Sequence, residues 1–186
     1  MDDQRSRAPR RIRALLFDTF GTVVDWRTSV SAEVERFFGR HGVVGDPARF
    51  ADEWRAQYQP SLERIRDGSR PFTRLDRLHR KNLLTVLRSW GIETANIEPA
   101  EIDDRNTAWH RLDPWLDTVP GLTTLRKSFL VAPLPNGNLS MLTNMAKRAA
   151  IPWDCILGAE VLRMYKPQLE FYRMTADILG LIRTSA

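Results

Sequence analysis

The stretch Ile12-Arg13-Ala14-Leu15-Leu16-Phe17-Asp18-Thr19-Phe20-Gly21-Thr22 decides how the rest of the chain is read. An apolar run that stops at an acidic residue, followed closely by a glycine, is the pattern of a buried strand over residues 12–17 feeding a tight turn. In an open parallel sheet, ligands sit outside the carboxyl ends of the strands, and this run puts Asp18 there. Gly21 suits the turn, and the Thr22 hydroxyl can donate to a carboxylate. Two readings of Asp18 stand open on this pattern. It is a turn cap, or it is a nucleophile that forms a covalent ester hydrolysed in a second step.

Working outward, Val30, Val34, Phe37 and Phe38 recur at helical spacing, with Thr28 or Ser29 placed to cap the helix and Gly39 and Gly42 near its end. Phe50, Trp54, Tyr58, Leu62 and Ile65 follow a four-residue step in which Pro60 predicts a break. Leu75, Leu78, Leu83, Val86, Leu87 and Trp90 form a stripe stopped by Gly91, and a further helix is expected over residues 102–112. No strand signal lies between residues 28 and 114. The pattern then changes to a short helix over 121–127 and a strand over 129–134, where Pro133 cannot donate to a ladder. A helix over Leu139–Ala149, a short strand over 155–157 and a helix over 167–179 closed by Gly180 complete the alternation of a parallel sheet. The expectation is an α/β core of residues 12–26 and 115–186, interrupted by a helical unit over 27–114 and preceded by a disordered basic tail over 1–11.

Composition narrows the function classes. The chain has 186 residues, 42% of them hydrophobic and 27% charged, enough for one core or a modest core with a small lobe. No apolar run approaches the ~20 residues of a membrane span. The single cysteine, Cys155, excludes an internal disulfide framework and fits a reducing, cytoplasmic compartment. The net charge of +5 is concentrated at the start, where five arginines (Arg5, Arg7, Arg10, Arg11 and Arg13) face only Asp2 and Asp3. The remaining basic residues are interleaved with acids, so no stripe for nucleic acid is visible. Arg10-Arg11 precedes an apolar run much shorter than the ~7–15 residues of a signal peptide.

The string Leu16-Phe17-Asp18-Thr19-Phe20-Gly21-Thr22-Val23-Val24-Asp25-Trp26 resembles the haloacid dehalogenase superfamily, and within it the L-2-haloacid dehalogenases, called type II. Pro135-Asn136-Gly137-Asn138, Tyr165-Lys166-Pro167 and Trp54-Arg55 match further stretches in the family's order. The resemblance runs over residues 12–182. It implies a parallel, Rossmann-like three-layer core with an inserted helical cap, and hydrolytic dehalogenation of short-chain L-2-haloacids to 2-hydroxy acids through an ester on Asp18. Lys166 would balance the nucleophile and substrate carboxylates, and Arg55 would receive the halide or orient the carboxylate. Tyr172 would donate to the substrate carboxylate, Asn136 would offer its amide to substrate or halide, and Thr22 would orient Asp18. Trp109 and Trp115 are expected in core or interlobe packing, and His41, His79 and His110 as structural residues.

Phe20 discriminates within the superfamily. Phosphatases of this fold carry an aspartate two residues after the nucleophile and bind Mg²⁺ to offset phosphate charge. A halide leaves without a proton, so no metal and no cofactor are expected, and the partner is a small 2-haloacid rather than nucleic acid or membrane. The resemblance is compatible with a homodimer. Two departures stand out. Pro135 replaces a serine whose hydroxyl helps bind the substrate carboxylate, which predicts weaker binding there. The sequence also stops before the last core strands and their Ser, Asn and Asp motif, which predicts an exposed edge beside the first strand and impaired turnover. Two other readings stand beside this one: a hydrolase of another small acid, and a non-catalytic remnant whose helical unit binds a partner.

Overall fold

The computed structural model describes residues 12–181. The basic tail expected over 1–11 lies outside the described residues, as do residues 182–186. β1 (Ala14–Phe17) leads into the loop that carries Asp18, and β2 (Val24–Asp25) follows. Then come α1 (Trp26–His41), α2 (Pro47–Ala56), α3 (Tyr58–Arg66), α4 (Leu75–Ser89) and α5 (Pro99–Asn106). β3 (Asp113–Pro114) closes antiparallel on β2, Val24 opposite Pro114 and Asp25 opposite Asp113. The helical segment thus leaves and re-enters through one short ribbon. α6 (Thr118–Leu125), β4 (Leu130–Pro133), α7 (Leu139–Ala149), α8 (Ala159–Leu162) and α9 (Leu169–Ile178) complete the chain.

β1 and β4 pair in parallel, from Ala14 opposite Leu130 to Phe17 opposite Pro133. The Leu134 N–H donates to the Phe17 carbonyl one step further on. Pro133 is tolerated because the amides of Leu130 and Leu134 face β1, so by alternation the missing N–H of Pro133 falls on the opposite side of the strand. This register ends both strands side by side, which sets Asp18 next to the loop of residues 134–138.

Three expectations are corrected and one is met. The cap of α1 is Asp25, whose carboxylate accepts the Thr28 N–H at 3.1 Å. Ser29 instead donates to the Asp25 carbonyl and accepts the Asp113 N–H at 2.9 Å, which ties the helix to the ribbon. The break that Pro60 predicts is present at Gln57, between α2 and α3, and leaves Pro60 in the first turn of α3, where an amide has no intrahelical partner. The helix expected over 102–112 ends at Asn106 and passes into a 3₁₀ turn, Thr107–His110. No strand forms over 155–157. There the Asp154 N–H donates to the Val131 carbonyl and the Asp154 carboxylate accepts the Val131 N–H, both at 2.9 Å, so a side chain takes the place of a strand carbonyl beside β4.

Two polar clusters tie the helical segment together and to the core. Arg105, almost fully buried, donates to the Glu33 carboxylate and, at 2.8 Å, to its carbonyl; Arg111 meets the same carboxylate at 3.1 and 3.2 Å. The Asp76 carboxylate of α4 accepts from Asn138 Nδ2 at 2.8 Å, just before α7, and lies 3.0 Å from His110 Nε2. Trp109 is buried as expected, whereas Trp115 is 41% exposed.

Burial alone would raise the Glu33 carboxyl, but Arg111, Arg36 and Arg105 outweigh it and hold its pKa at about 2, against 4.5 ordinarily. A depressed folded-state pKa contributes stability above the unfolded value, and that contribution is lost as pH falls through the folded value. Stability should therefore decline between pH 4.5 and about 2. Glu33→Gln should flatten that part of the profile and cost roughly 3 kcal/mol at neutral pH, since Arg105 is left buried without its charge partner. Urea unfolding across pH checks both, and an unchanged acid slope in the variant would contradict the assignment.

Candidate active site

Lys166 Nζ lies 2.6 Å from Asp18 Oδ1. The two are 148 residues apart in sequence. The Lys166 side chain is 19% exposed, that of Asp18 45%. From one turn further along the loop, Thr22 Oγ1 approaches the other oxygen, Oδ2, at 3.4 Å. Asn136, buried in the loop after β4, sets where the lysine stands. Its Oδ1 accepts the Lys166 backbone N–H at 2.7 Å, and its Nδ2 donates to the Tyr58 hydroxyl at 2.9 Å. The amide expected to face substrate is thus engaged in holding Lys166 and the start of α3. Beside it, the Tyr165 hydroxyl donates to the Thr73 carbonyl at 2.7 Å, which anchors the lysine loop to the α3–α4 connection.

Arg55 comes from a different element, near the end of α2. Its guanidinium stacks 4.0 Å from the Tyr58 ring centre and 5.7 Å from that of Trp26. Among the described residues it has no carboxylate partner and no hydrogen bond. Beneath it the aromatic bed continues through Trp109, which stacks on Trp26 at 5.8 Å and meets Trp54 edge-on at 5.5 Å. Trp54 is locked by its Nε1–H donating to the His79 carbonyl at 2.9 Å. Burial drives the His79 imidazole down to about 3, so this bed adds no second cation at neutral pH. Phe20 meets Trp109 edge-on at 6.2 Å. The position two residues after Asp18 is therefore built into the aromatic bed, where a protonating acid would be needed for an alkoxide leaving group.

Asp18, Arg55, Asn136, Lys166 and Tyr172 line one pocket of about 440 Å³, together with Tyr58, Gln59, Arg66 and Pro167. Five of the six expected site residues thus share a single pocket, and Thr22 reaches it through Asp18. Tyr172 stands at the rim, 41% exposed, and Pro135 is buried away from the lining. Tyr58, Gln59 and Arg66 are additions that the sequence reading missed. The available signal was spacing: Tyr58 and Gln59 stand three and four residues past Arg55, where a helix returns to the same face. Among the described residues no group of three or more His, Cys, Asp or Glu side chains is placed to hold a metal ion.

No protein-family model matches the sequence. The chain is 27% identical over 173 residues to (S)-2-haloacid dehalogenase 1 of Pseudomonas sp. (strain CBS-3), covering 90% of this chain and 71% of that protein. It is also 27% identical to (S)-2-haloacid dehalogenase 4A of Burkholderia cepacia, over 91% of this chain and 70% of the other. Among solved structures, that of a defluorinating L-2-haloacid dehalogenase superposes with a TM-score of 0.92 at 51% identity, over 93% of this chain and 71% of that one. A second L-2-haloacid dehalogenase structure gives 0.86 at 35% identity, over 92% and 72%. With about half the aligned positions shared with one solved dehalogenase that the chain covers to 71%, the chain belongs to the L-2-haloacid dehalogenase family of the haloacid dehalogenase superfamily.

Proposed function

We propose that this protein hydrolyses short-chain L-2-haloacids to 2-hydroxy acids through an ester on Asp18. The observation that carries the reading is the 2.6 Å contact between Lys166 and Asp18, in one pocket with a guanidinium, Arg55, that is stacked but otherwise uncommitted among the described residues. Bringing a substrate carboxylate beside Asp18 without a cation would raise the nucleophile's pKa and protonate it. The ammonium prevents this while engaging only Oδ1. Oδ2, restrained by Thr22, attacks C2 from the face opposite the halogen. The C–O bond forms as the carbon–halogen bond breaks, the electron pair leaves with the halide, and the centre inverts.

Arg55 receives the departing halide, its fork of donors replacing water around the anion. The substrate carboxylate lies toward Lys166 and Tyr172. Water then attacks the ester carbonyl of Asp18. The hydroxy acid departs carrying one aspartate oxygen, the carboxylate is restored and one proton is released. Halide departure calls for no proton and no metal, which is consistent with Phe20 in the aromatic bed. In this reading residues 27–114 act as the cap, supplying Arg55 and Tyr58, over a core of 12–26 and 115–186. The single cysteine supports a cytoplasmic setting, and no helix of the described residues is long and apolar enough to cross a membrane.

Halide release from L-2-chloropropionate tests the proposal. Asp18→Asn should reduce it to background, and activity surviving that substitution would contradict the role of Asp18. Asn136→Leu should slow the first turnover by about 10²-fold, the scale expected when a group is misplaced by an ångström, while the far-ultraviolet circular dichroism stays unchanged. Wild-type rates in this variant would show that the Tyr58–Asn136–Lys166 chain does not position the lysine.

A further inference from the structure

The pocket holds more positive charge than a monocarboxylate substrate needs. Arg66, the last residue of α3, lines it with a side chain only 15% exposed. Its Nη1 donates to Gln59 Oε1 and to Glu63 Oε2, both at 3.2 Å, while its Nε is buried without a partner among the described residues. Glu63 is 66% exposed and screened by solvent, so it offsets this charge only weakly.

The imbalance persists through the reaction. Before displacement, Asp18 and one substrate carboxylate face Lys166, Arg55 and Arg66. After it, Asp18 is a neutral ester, and the halide and the carboxylate face the same three cations. One positive charge is matched at both stages only by the solvated Glu63. A second substrate carboxylate would match it at both.

Resting on the haloacid reading, we propose that Arg66, oriented by Gln59, is a specificity-determining residue that binds a distal carboxylate, and that the preferred substrates are four-carbon 2-halodicarboxylates of the 2-chlorosuccinate class. A guanidinium offers a planar fork that matches a carboxylate. Gln59 presents an amide rather than an apolar wall beside it. The pocket volume lies within the ~300–1,000 Å³ usual for small-molecule sites, leaving room for one more carboxylate.

The test uses the full chain in excess over substrate. Halide release in a single turnover is compared for L-2-chloropropionate and L-2-chlorosuccinate, and the ratio of the two rates is read. Wild type should favour the dicarboxylate. Arg66→Met should lower that ratio by about tenfold or more, as expected for loss of a hydrogen bond to a charged group. Arg66→Lys should keep much of the preference, and Gln59→Leu should reduce it less than Arg66→Met does. A structural role would slow both substrates alike and leave the ratio unmoved. That result, or no preference in wild type, would overturn the inference while chloropropionate turnover left the haloacid reading intact. Halide from neither substrate would overturn the haloacid reading itself.

Discussion

The ion pair between Asp18 and Lys166 is the constraint around which the rest is arranged. A carboxylate at the end of a strand is an ordinary feature, and an ammonium 2.6 Å from one of its oxygens gives it a defined use. The parallel register of β1 on β4 places the Asp18 loop beside the loop of Asn136. Asn136 then fixes the backbone of Lys166 from one side of its amide and Tyr58 from the other. A single buried side chain therefore sets both the lysine that pairs with Asp18 and the tyrosine on which Arg55 stacks. Sheet register, loop geometry and the helical segment converge on one carboxylate.

The second cation is held by different physics. Among the described residues Arg55 has aromatic faces beneath it instead of a carboxylate partner, an arrangement that orients a guanidinium without neutralising it. The bed extends through Trp109 to Phe20 in the loop after β1, so the same rings that support Arg55 also pack against the segment carrying Asp18. The Asp76 carboxylate, reaching Asn138 and His110 across the segments, holds α4 against the start of α7. Lys166 and Arg55 thus reach one pocket from different elements, each from a restrained backbone.

Asp18, Lys166 and Arg55 were legible in the sequence because each sits in a short local motif beside a predictable element end. Asn136 was legible as a site residue but not in its role, which depends on a tyrosine 78 residues earlier. Tyr58 reads as one more apolar step between Trp54 and Leu62, and that pattern does not register that its hydroxyl meets Asn136. Gln59 and Arg66 look like the solvated face of a helix rich in charge. The strand expected at 155–157 failed because a side chain, the Asp154 carboxylate, satisfies the Val131 amide. Patterns of apolar residues do not register that substitution.

Covalent participation of Asp18 is read from where water oxygen goes. In a single turnover of L-2-chloropropionate in H₂¹⁸O, with enzyme in excess and the peptides then analysed by tandem mass spectrometry, Asp18 should carry either the label or the intact ester. The hydroxy acid formed in that turnover should be unlabelled. Label appearing directly in the product, with Asp18 unlabelled and unmodified, would mean that water attacks the substrate itself and that the Asp18–Lys166 pair does not form a covalent catalyst.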